Sequence, residues 1–191
     1  MPKPFTGNTL TAPALRLLGG FSLERPGERG DGLAYEKGRA LLAYVALESA
    51  APHPRKKLAA LFWPDRPIDA ALGNLRQVLL NLRLALNGAQ PVTPPLLVAR
   101  ESVRLDPTAL QGFDVADFSA ASPACTAPPS LERCTGCLAQ MEALVGLYRG
   151  ELMAGFSLPD CPDFEDWLQM QRESLHRSAL ARLARLSDCH E

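Results

Sequence analysis

Side chains of the types that hydrogen-bond to base edges recur within one stretch, residues 69–88, DAALGNLRQVLLNLRLALNG. In DNA, arginine forms paired hydrogen bonds with guanine, and asparagine or glutamine forms them with adenine, from the major groove. The stretch therefore carries candidate base-reading residues at Asn74, Arg76, Gln77, Asn81 and Arg83.

Basic residues outside this stretch are candidates for phosphate contacts. Arg55, Lys56 and Lys57 lie at the predicted start of a short helix, where backbone N–H groups also favour an anion. A position on a solvated helix face explains these three residues equally well. Arg100 lies in a predicted hairpin and could enter a minor groove as part of a wing. Arg104 of the same hairpin alternates with apolar residues, which favours an ordinary strand position for it.

Other possible chemistry receives little support from the sequence. Cys134 and Cys137 form a CxxC pair, but the pair lies in a helical pattern and the chain has no second CxxC, so ordinary cysteines are favoured. Asp163, Glu165 and Asp166 open a predicted helix, where they complement its macrodipole. The sequence contains no phosphate loop, dinucleotide fingerprint or nucleophile elbow. We therefore predict no metal, no cofactor and no enzymatic activity.

The charge of the chain is unevenly distributed. Residues 1–112 contain 14 Lys and Arg against 9 Asp and Glu, a net +5, whereas residues 113–191 contain 6 against 12, a net −6. This asymmetry predicts two modules. The sequence has no apolar run of membrane-spanning length and no recognisable export signal, and its five cysteines follow no disulfide-scaffold spacing. These features predict a cytoplasmic protein that does not enter a membrane.

The order of predicted elements indicates the fold of the first module. After a flexible N-terminus of residues 1–13, the patterns predict two short strands, with a kink or bulge at Gly19 and Gly20, and a third strand at residues 33–36. They then predict helices over 37–49, 55–62 and 69–88, the first of them ended by a break at residues 51–55, and a hairpin over 96–105. Asp69 is the predicted N-cap of the third helix. This order predicts an α+β winged helix-turn-helix domain over residues 14–112.

The helix predicted over residues 69–88 has two apolar faces. At 100° per residue, five leucines fall within about 60° of one line and form the predicted core stripe: Leu72, Leu75, Leu79, Leu82 and Leu86. The opposite face centres on Gly73, Leu80 and Leu84. The arginines flank that face on one side, and the three amide side chains flank it on the other.

Residues 113–191 predict a second, all-α module. A short helix is predicted with Asp114 as its cap, a second helix covers residues 131–150, and a long helix with an apolar stripe extends to about Leu186. Antiparallel helical hairpins fit this pattern. The other predicted helices can cover only part of this apolar stripe. We therefore expect that the module is either truncated or covered by another chain.

Several segments in order resemble the bacterial transcriptional activator domain family, the SARP-type regulators: LLGGFSLERPG, KGRALLAYVALES, RKKLAALFWPD, NLRQVLLNLR, VRLDP, FDVADF and LYRGELMAGFSLPDCPDFEDWLQMQRESLHR. The resemblance covers about Leu15 to Leu186. It implies a winged helix of the response-regulator type followed by a tetratricopeptide-like activation domain. It also implies that residues 69–88 form the recognition helix and residues 96–105 the wing.

The first functional hypothesis is therefore a DNA-binding transcriptional activator. Its winged helix would bind double-stranded promoter DNA, and its helical module would contact RNA polymerase or further C-terminal domains, with a homodimer left open. The predicted DNA-binding residues are Arg55, Lys56, Lys57, Asn74, Arg76, Gln77, Asn81, Arg83 and Arg100.

The alternative hypothesis is a protein-interaction module on the same fold, with weakened or lost DNA binding. It would dock a partner or a second copy through Leu80 and Leu84. The recognition helix departs from the family's residue types, which are often basic at Gly73, Asn81 and Leu84 and small and polar at Leu80.

Overall fold

The computed structural model describes residues 12–25, 33, 35–87, 94–120 and 135–190. Its strands are β1 Ala14–Arg16, β2 Ser22–Glu24, β3 His53–Pro54, β4 Leu96–Val98 and β5 Ser102–Leu105. Its helices are α1 Glu36–Leu47, α2 Arg55–Phe62, α3 Ile68–Asn87, α4 Asp114–Ala120, α5 Thr135–Leu147 and α6 Pro162–His190, with a short 3₁₀ turn at Pro107–Ala109. The described chain is thus mixed α+β, with small sheets and long helices.

The helices of the first half follow the predicted pattern closely. The predicted bounds of α2 are confirmed. The Trp63 N–H still bonds to the Ala59 carbonyl, but Pro64 has no N–H to donate, so the helix ends there. α1 begins one residue before the predicted start and ends at Leu47, two residues before the predicted end. α3 begins and ends one residue before the bounds predicted for it, residues 69–88.

Two local predictions are wrong. Leu33 and Tyr35 lie in no strand, and Glu36 already belongs to α1. Extended Tyr35 is the N-cap residue of α1: its carbonyl accepts hydrogen bonds from the N–H groups of Gly38 and Arg39. Asp69 is not an N-cap either. Because α3 begins at Ile68, Asp69 lies in the first turn, where its charge favours the positive end of the macrodipole.

The predicted hairpin of β4 and β5 is confirmed, and a third strand joins it. The sheet order is β3-β5-β4, with both pairs antiparallel. The Arg55 N–H at the start of α2 donates to the Glu101 carbonyl, at 2.9 Å from nitrogen to oxygen. The sequence predicted only a helix break at β3, since two residues ending in proline give no alternating pattern. This sheet therefore fixes the hairpin against the beginning of α2.

The other sheet consists of the two predicted N-terminal strands, β1 and β2, paired antiparallel. The predicted kink between them is confirmed, since Gly19 and Gly20 both have positive φ. A Cβ at Gly19 would lie 3.0 Å from the Cβ of Arg149, so the strand connection approaches the α5–α6 segment closely. The Gly19 N–H also donates to the Glu151 carbonyl.

A buried carboxylate joins the N-terminal strand to the second half of the chain. Asp114, predicted as the cap of α4, is instead its first residue, and it is 5% exposed. Its two oxygens accept the N–H groups of Leu17 at 2.8 Å and Leu18 at 3.0 Å, and Arg149 donates to it at 3.0 Å. Burial raises the pKa of the Asp114 carboxyl, while these donors and the arginine charge act in the opposite direction. One hydrophobic core therefore continues across the predicted boundary at residues 112–113.

The start of α6 forms a second junction with the first half. The Trp167 ring lies 4.8 Å from the Tyr44 ring of α1, and its indole N–H donates to Glu48 at 2.9 Å. The Lys37 ammonium donates to the Phe62 carbonyl at 2.7 Å and forms an ion pair with Asp160 at 2.6 Å. This pairing lowers the pKa of the Asp160 carboxyl. Trp167 thus anchors the start of α6 to α1 of the first half.

We expect Asp114→Asn to lower the free energy of unfolding by about 1–3 kcal/mol, the cost of losing hydrogen bonds to a charged acceptor. The asparagine amide places an NH₂ donor where the carboxylate oxygens accept two backbone N–H groups. Urea denaturation at pH 7 measures the change. Asp117→Asn is the matched control, because Asp117 occupies the same first turn of α4 and is exposed. Equal stability of the two variants would contradict this role of Asp114.

Candidate nucleic-acid interface

The apolar stripe of α3 sets which side chains of this helix reach solvent. Leu75, Leu79, Leu82 and Leu86 are almost fully buried, and Leu72 is partly buried against the same core. α3 packs against α2, α1 and β4 on this side. The predicted core stripe is confirmed, and the rotation of the helix about its axis follows from it.

The five candidate base-reading side chains of α3 are all exposed in the structure: Asn74, Arg76, Gln77, Asn81 and Arg83. The Gln77 amide donates to the Asn81 side chain at 3.3 Å, so these two amides, one turn apart, are partly preorganised on the surface. The structure thus brings the polar candidates of this helix onto one solvent-facing surface.

The centre of that surface is apolar. Leu80 is 51% exposed and Leu84 is 68% exposed. Within the described chain, a Cβ built at Gly73 would meet no heavy atom within 4 Å, so the backbone of α3 is openly accessible there. We call Leu80 and Leu84, with the five polar side chains around them, the α3 outer face.

The α3 outer face carries positive charge. Between residues 70 and 87 the sequence contains Arg76 and Arg83 but no Asp or Glu, so Asp69 in the first turn is the one acid of the helix. Arg66, exposed in the connection between α2 and α3, adds another cation at the N-terminal end of the helix. Arg66 and Asn74 line one polar cleft of about 460 Å³, where the charges of Lys37 and Arg66 are balanced by Asp65 and Asp160. Arg66 was not among the predicted DNA-binding residues because it lies outside the predicted helix. Its positive charge was the one feature of the sequence that could have indicated such a role.

The start of α2 presents two exposed lysines, Lys56 and Lys57. Pro54, the N-cap residue, supplies no side-chain cap to this helix end. The Arg55 N–H differs, because it is bonded to Glu101 of the hairpin and is not available to an anion. The Arg55 side chain is partly buried, so it is less accessible to a ligand than the exposed side chains of Lys56 and Lys57.

The tip of the β4–β5 hairpin carries Arg100, whose side chain is 96% exposed. Its guanidinium lies 3.8 Å from Glu101, which is also highly exposed, so the local charge is partly balanced. Arg104 points outward from β5 between buried Val103 and Leu105, and the alternation predicted for this strand is confirmed. The bond between Glu101 and Arg55 places this tip beside the start of α2, so two of the predicted basic regions are neighbours.

The cysteines and acidic residues considered for other chemistry have ordinary surroundings where the structure describes them. Cys134 lies outside the described residues, and Cys137 is buried on α5. Burial raises the pKa of the Cys161 thiol to about 11, and that thiol donates to the Phe62 carbonyl. Glu165 accepts hydrogen bonds from the Leu158 N–H and the Ser157 hydroxyl ahead of α6. Among the described residues, no group of three or more His, Cys, Asp and Glu side chains could hold a metal ion.

In the part of the chain that the structure describes, no helix is both long enough and apolar enough to cross a membrane.

The architecture is that of a mixed α+β chain in which three helices and a hairpin-bearing sheet are joined through one core to a helical segment. A solved structure of Mycobacterium tuberculosis EmbR, in complex with a low-affinity phosphopeptide, matches this fold with a TM-score of 0.72. The two chains are 20% identical over a match that covers 93% of this chain and 45% of the EmbR chain. The match supports the SARP-like fold that the sequence resemblance implied, and at this identity it shows the fold alone.

No family model matches the chain, and no curated protein matches it. This chain spans less than half the length of the EmbR chain that it matches.

The exposure of the α3 outer face predicts that its side chains can be changed without loss of the fold. We expect Arg76→Ala and Leu84→Ser to change the free energy of unfolding by less than about 0.5–1 kcal/mol, as for other surface positions. Leu79→Ala on the buried stripe should cost about 2–5 kcal/mol. Chemical denaturation of the three variants checks the assignment of the two faces. A loss for either surface variant as large as that for Leu79→Ala would show that the assignment is wrong.

Proposed function

We propose that the chain is a DNA-binding transcriptional regulator and not an enzyme. In this proposal residues 14–112 act as a winged helix-turn-helix domain, with α3 as the recognition helix and the β4–β5 hairpin as the wing. The observation that carries the proposal is the α3 outer face, where a buried leucine stripe turns two arginines and three amides together toward solvent. The fold match to EmbR supports the architecture that this proposal needs.

The dimensions of α3 suit the major groove of DNA. A helix with its side chains is about 10–12 Å across, and the groove is about 12 Å wide. Arg76 and Arg83 are seven residues apart, which is about 10.5 Å along the helix axis. That distance corresponds to about three base-pair steps at about 3.4 Å each, so both arginines could contact DNA from one docked helix.

Phosphate contacts in this proposal come from the lysines beside the groove-facing helix. Lys56 and Lys57 are exposed at the positive end of α2, and α2 packs directly against α3. Arg100, at the tip of the wing, lies beside the same helix end through the Glu101–Arg55 hydrogen bond. Such contacts hold a protein in register on DNA without selecting a sequence.

The helical segment, residues 113–191, is proposed to act as a tetratricopeptide-like module that contacts RNA polymerase or further domains. Its acidic balance distinguishes it from the basic first part. The Asp114 and Trp167 junctions and the shared core connect it to the proposed winged helix, so a partner bound on one part would sit in a defined position relative to DNA. A promoter-bound regulator of this kind works in the cytoplasm.

A second candidate is favoured by the exposure of Leu80 and Leu84, which would be unusual centres for a purely polar recognition surface. In this alternative the same fold has weakened or lost DNA binding and docks a protein partner or a second copy. The two functions predict opposite rankings for changes at the arginines and the leucines of the α3 outer face.

Arg76→Ala should lower specific DNA binding by about 1–3 kcal/mol and relax the preference at one base position. The reason is the loss of a paired hydrogen bond to a guanine edge. Selection from a random duplex pool, followed by mobility shifts on the selected sequence, measures both effects. Arg177→Ala, at an exposed position on α6, is the control and should leave binding unchanged. If the chain binds no duplex at low salt, the DNA-binding function is wrong.

Lys56→Gln combined with Lys57→Gln should weaken binding to all duplex sequences alike. Each phosphate contact removed should flatten the slope of log K against log salt by about 0.9. Binding titrations at several salt concentrations, with selected and scrambled duplexes, test this expectation. An unchanged slope would remove both lysines from the interface.

A further inference from the structure

The apolar centre of the α3 outer face has no role in hydrogen bonding to bases or in contacts with phosphates. Leu80 and Leu84 are the two large apolar side chains of α3 that stay mostly in solvent between its polar flanks. They are four residues apart, so they lie on one side of the helix, about 6 Å from each other along its axis. Any ligand bound to this face must cover them.

The charge around the leucines favours a polyanion as that ligand. Arg76 and Arg83 flank them on one side, amide side chains flank them on the other, and no acidic residue lies between positions 70 and 87. A protein partner would have to be acidic and would need a larger apolar contact. A stable interface buries about 800 Å² on each partner, of which roughly 450 Å² is apolar. Two partly exposed leucines offer on the order of 200 Å² of apolar area, judged from the 150–250 Å² of a whole aromatic side chain.

Within the major groove, the apolar group available to such side chains is the C5 methyl of thymine. We propose that Leu80 and Leu84 are specificity-determining residues that select thymines by packing against their methyl groups. This inference rests on the proposed DNA-binding function and names the sequence class that it reads: sites with thymines at the centre, flanked by bases that the arginines and amides recognise.

The spacing of the leucines makes the inference specific. A separation of about 6 Å along the helix corresponds to about two base-pair steps of about 3.4 Å. Each leucine should therefore contact its own thymine, and the two thymines should lie about two steps apart, on one strand or across the groove. Gly73, at the N-terminal end of the same face, leaves room for the groove edge to approach the helix backbone.

Replacement of thymine by deoxyuridine tests this directly, because it removes the methyl group and keeps the base pair and its hydrogen-bonding groups. The full 191-residue chain is first used to select a duplex from a random pool, and each thymine of that duplex is then replaced singly. We expect two positions where the replacement weakens binding about fourfold, the factor for burying one methyl-sized group. Leu80→Ala should abolish the sensitivity at one of these positions, and Leu84→Ala at the other.

The matched control is Leu180→Ala, which removes a similarly exposed leucine from α6 and should leave the deoxyuridine pattern unchanged. Thermal melting of all three variants verifies that each one is folded. Selective binding to duplex without deoxyuridine sensitivity, or with a sensitivity that both leucine variants retain, would overturn the inference and leave the DNA-binding function standing. Binding to duplex without any sequence preference would overturn it in the same way.

Two further outcomes separate the inference from the function on which it rests. If the chain binds no duplex at any salt concentration, the proposed function fails and the thymine contacts fail with it. If DNA affinity is unchanged in the leucine variants while their mass in solution, measured by light scattering, falls from a dimer to a monomer, the face is an interface between two copies. That result would overturn the thymine assignment.

Discussion

Burial of the leucine stripe of α3 is the constraint on which the functional surface depends. The stripe packs against α1, α2 and β4, and each of its central leucines is almost inaccessible to solvent. Rotation of the helix by one residue, about 100°, would bury charged or amide side chains in place of leucine. The orientation of the arginines and amides is therefore a consequence of core packing, and it holds before any ligand binds. Under the proposed function, this preorganisation would lower the conformational cost of DNA recognition for the helix backbone.

The same logic explains how the two halves of the chain are held together. A carboxylate placed among leucine side chains is costly unless its oxygens are fully bonded, and Asp114 meets that condition with two backbone N–H groups and Arg149. The Lys37–Asp160 pair is more exposed and contributes less by itself. Its geometry is useful because the Lys37 ammonium also caps the Phe62 carbonyl at the end of α2. Polar contacts thus fix the register of the junction, whereas apolar contacts such as Trp167 on Tyr44 continue the hydrophobic core across it.

The elements with strong periodicity could be predicted from the sequence, and those with weak local signals could not. α2, α3, the hairpin and the kink at Gly19 and Gly20 were predictable because apolar spacing, proline and glycine act locally. β3 gave no signal because a two-residue strand is defined by its partner, β5, and not by its own pattern. Tyr35 was predicted as part of a strand and not as the N-cap residue of α1. The two are easily confused, because an N-cap residue has the same extended backbone as a residue at the end of a strand. The exposed faces of α3 could be predicted from helix geometry. The anion contact predicted for the Arg55 N–H could not be checked in this way, because the N–H is bonded to Glu101, which lies 46 residues away in the chain.

Under the proposed function, the composition of the α3 outer face would make affinity and specificity depend on different sets of residues. Two arginines along the recognition helix provide a limited number of charge contacts, so the salt-dependent part of binding rests mainly on the lysines of α2 and on the wing. Amide groups and leucine side chains add contacts that depend on the base and depend little on salt. A family-typical helix with more basic residues would bind all DNA more strongly, since charge does not distinguish sequences. Under the proposed function, Asn81 and Leu84 in place of such basic residues would lower binding to every sequence and raise the share of the remaining free energy that comes from base contacts. A regulator built in this way would bind few sites, and those weakly, so that contacts made by its helical module could decide whether a site is occupied.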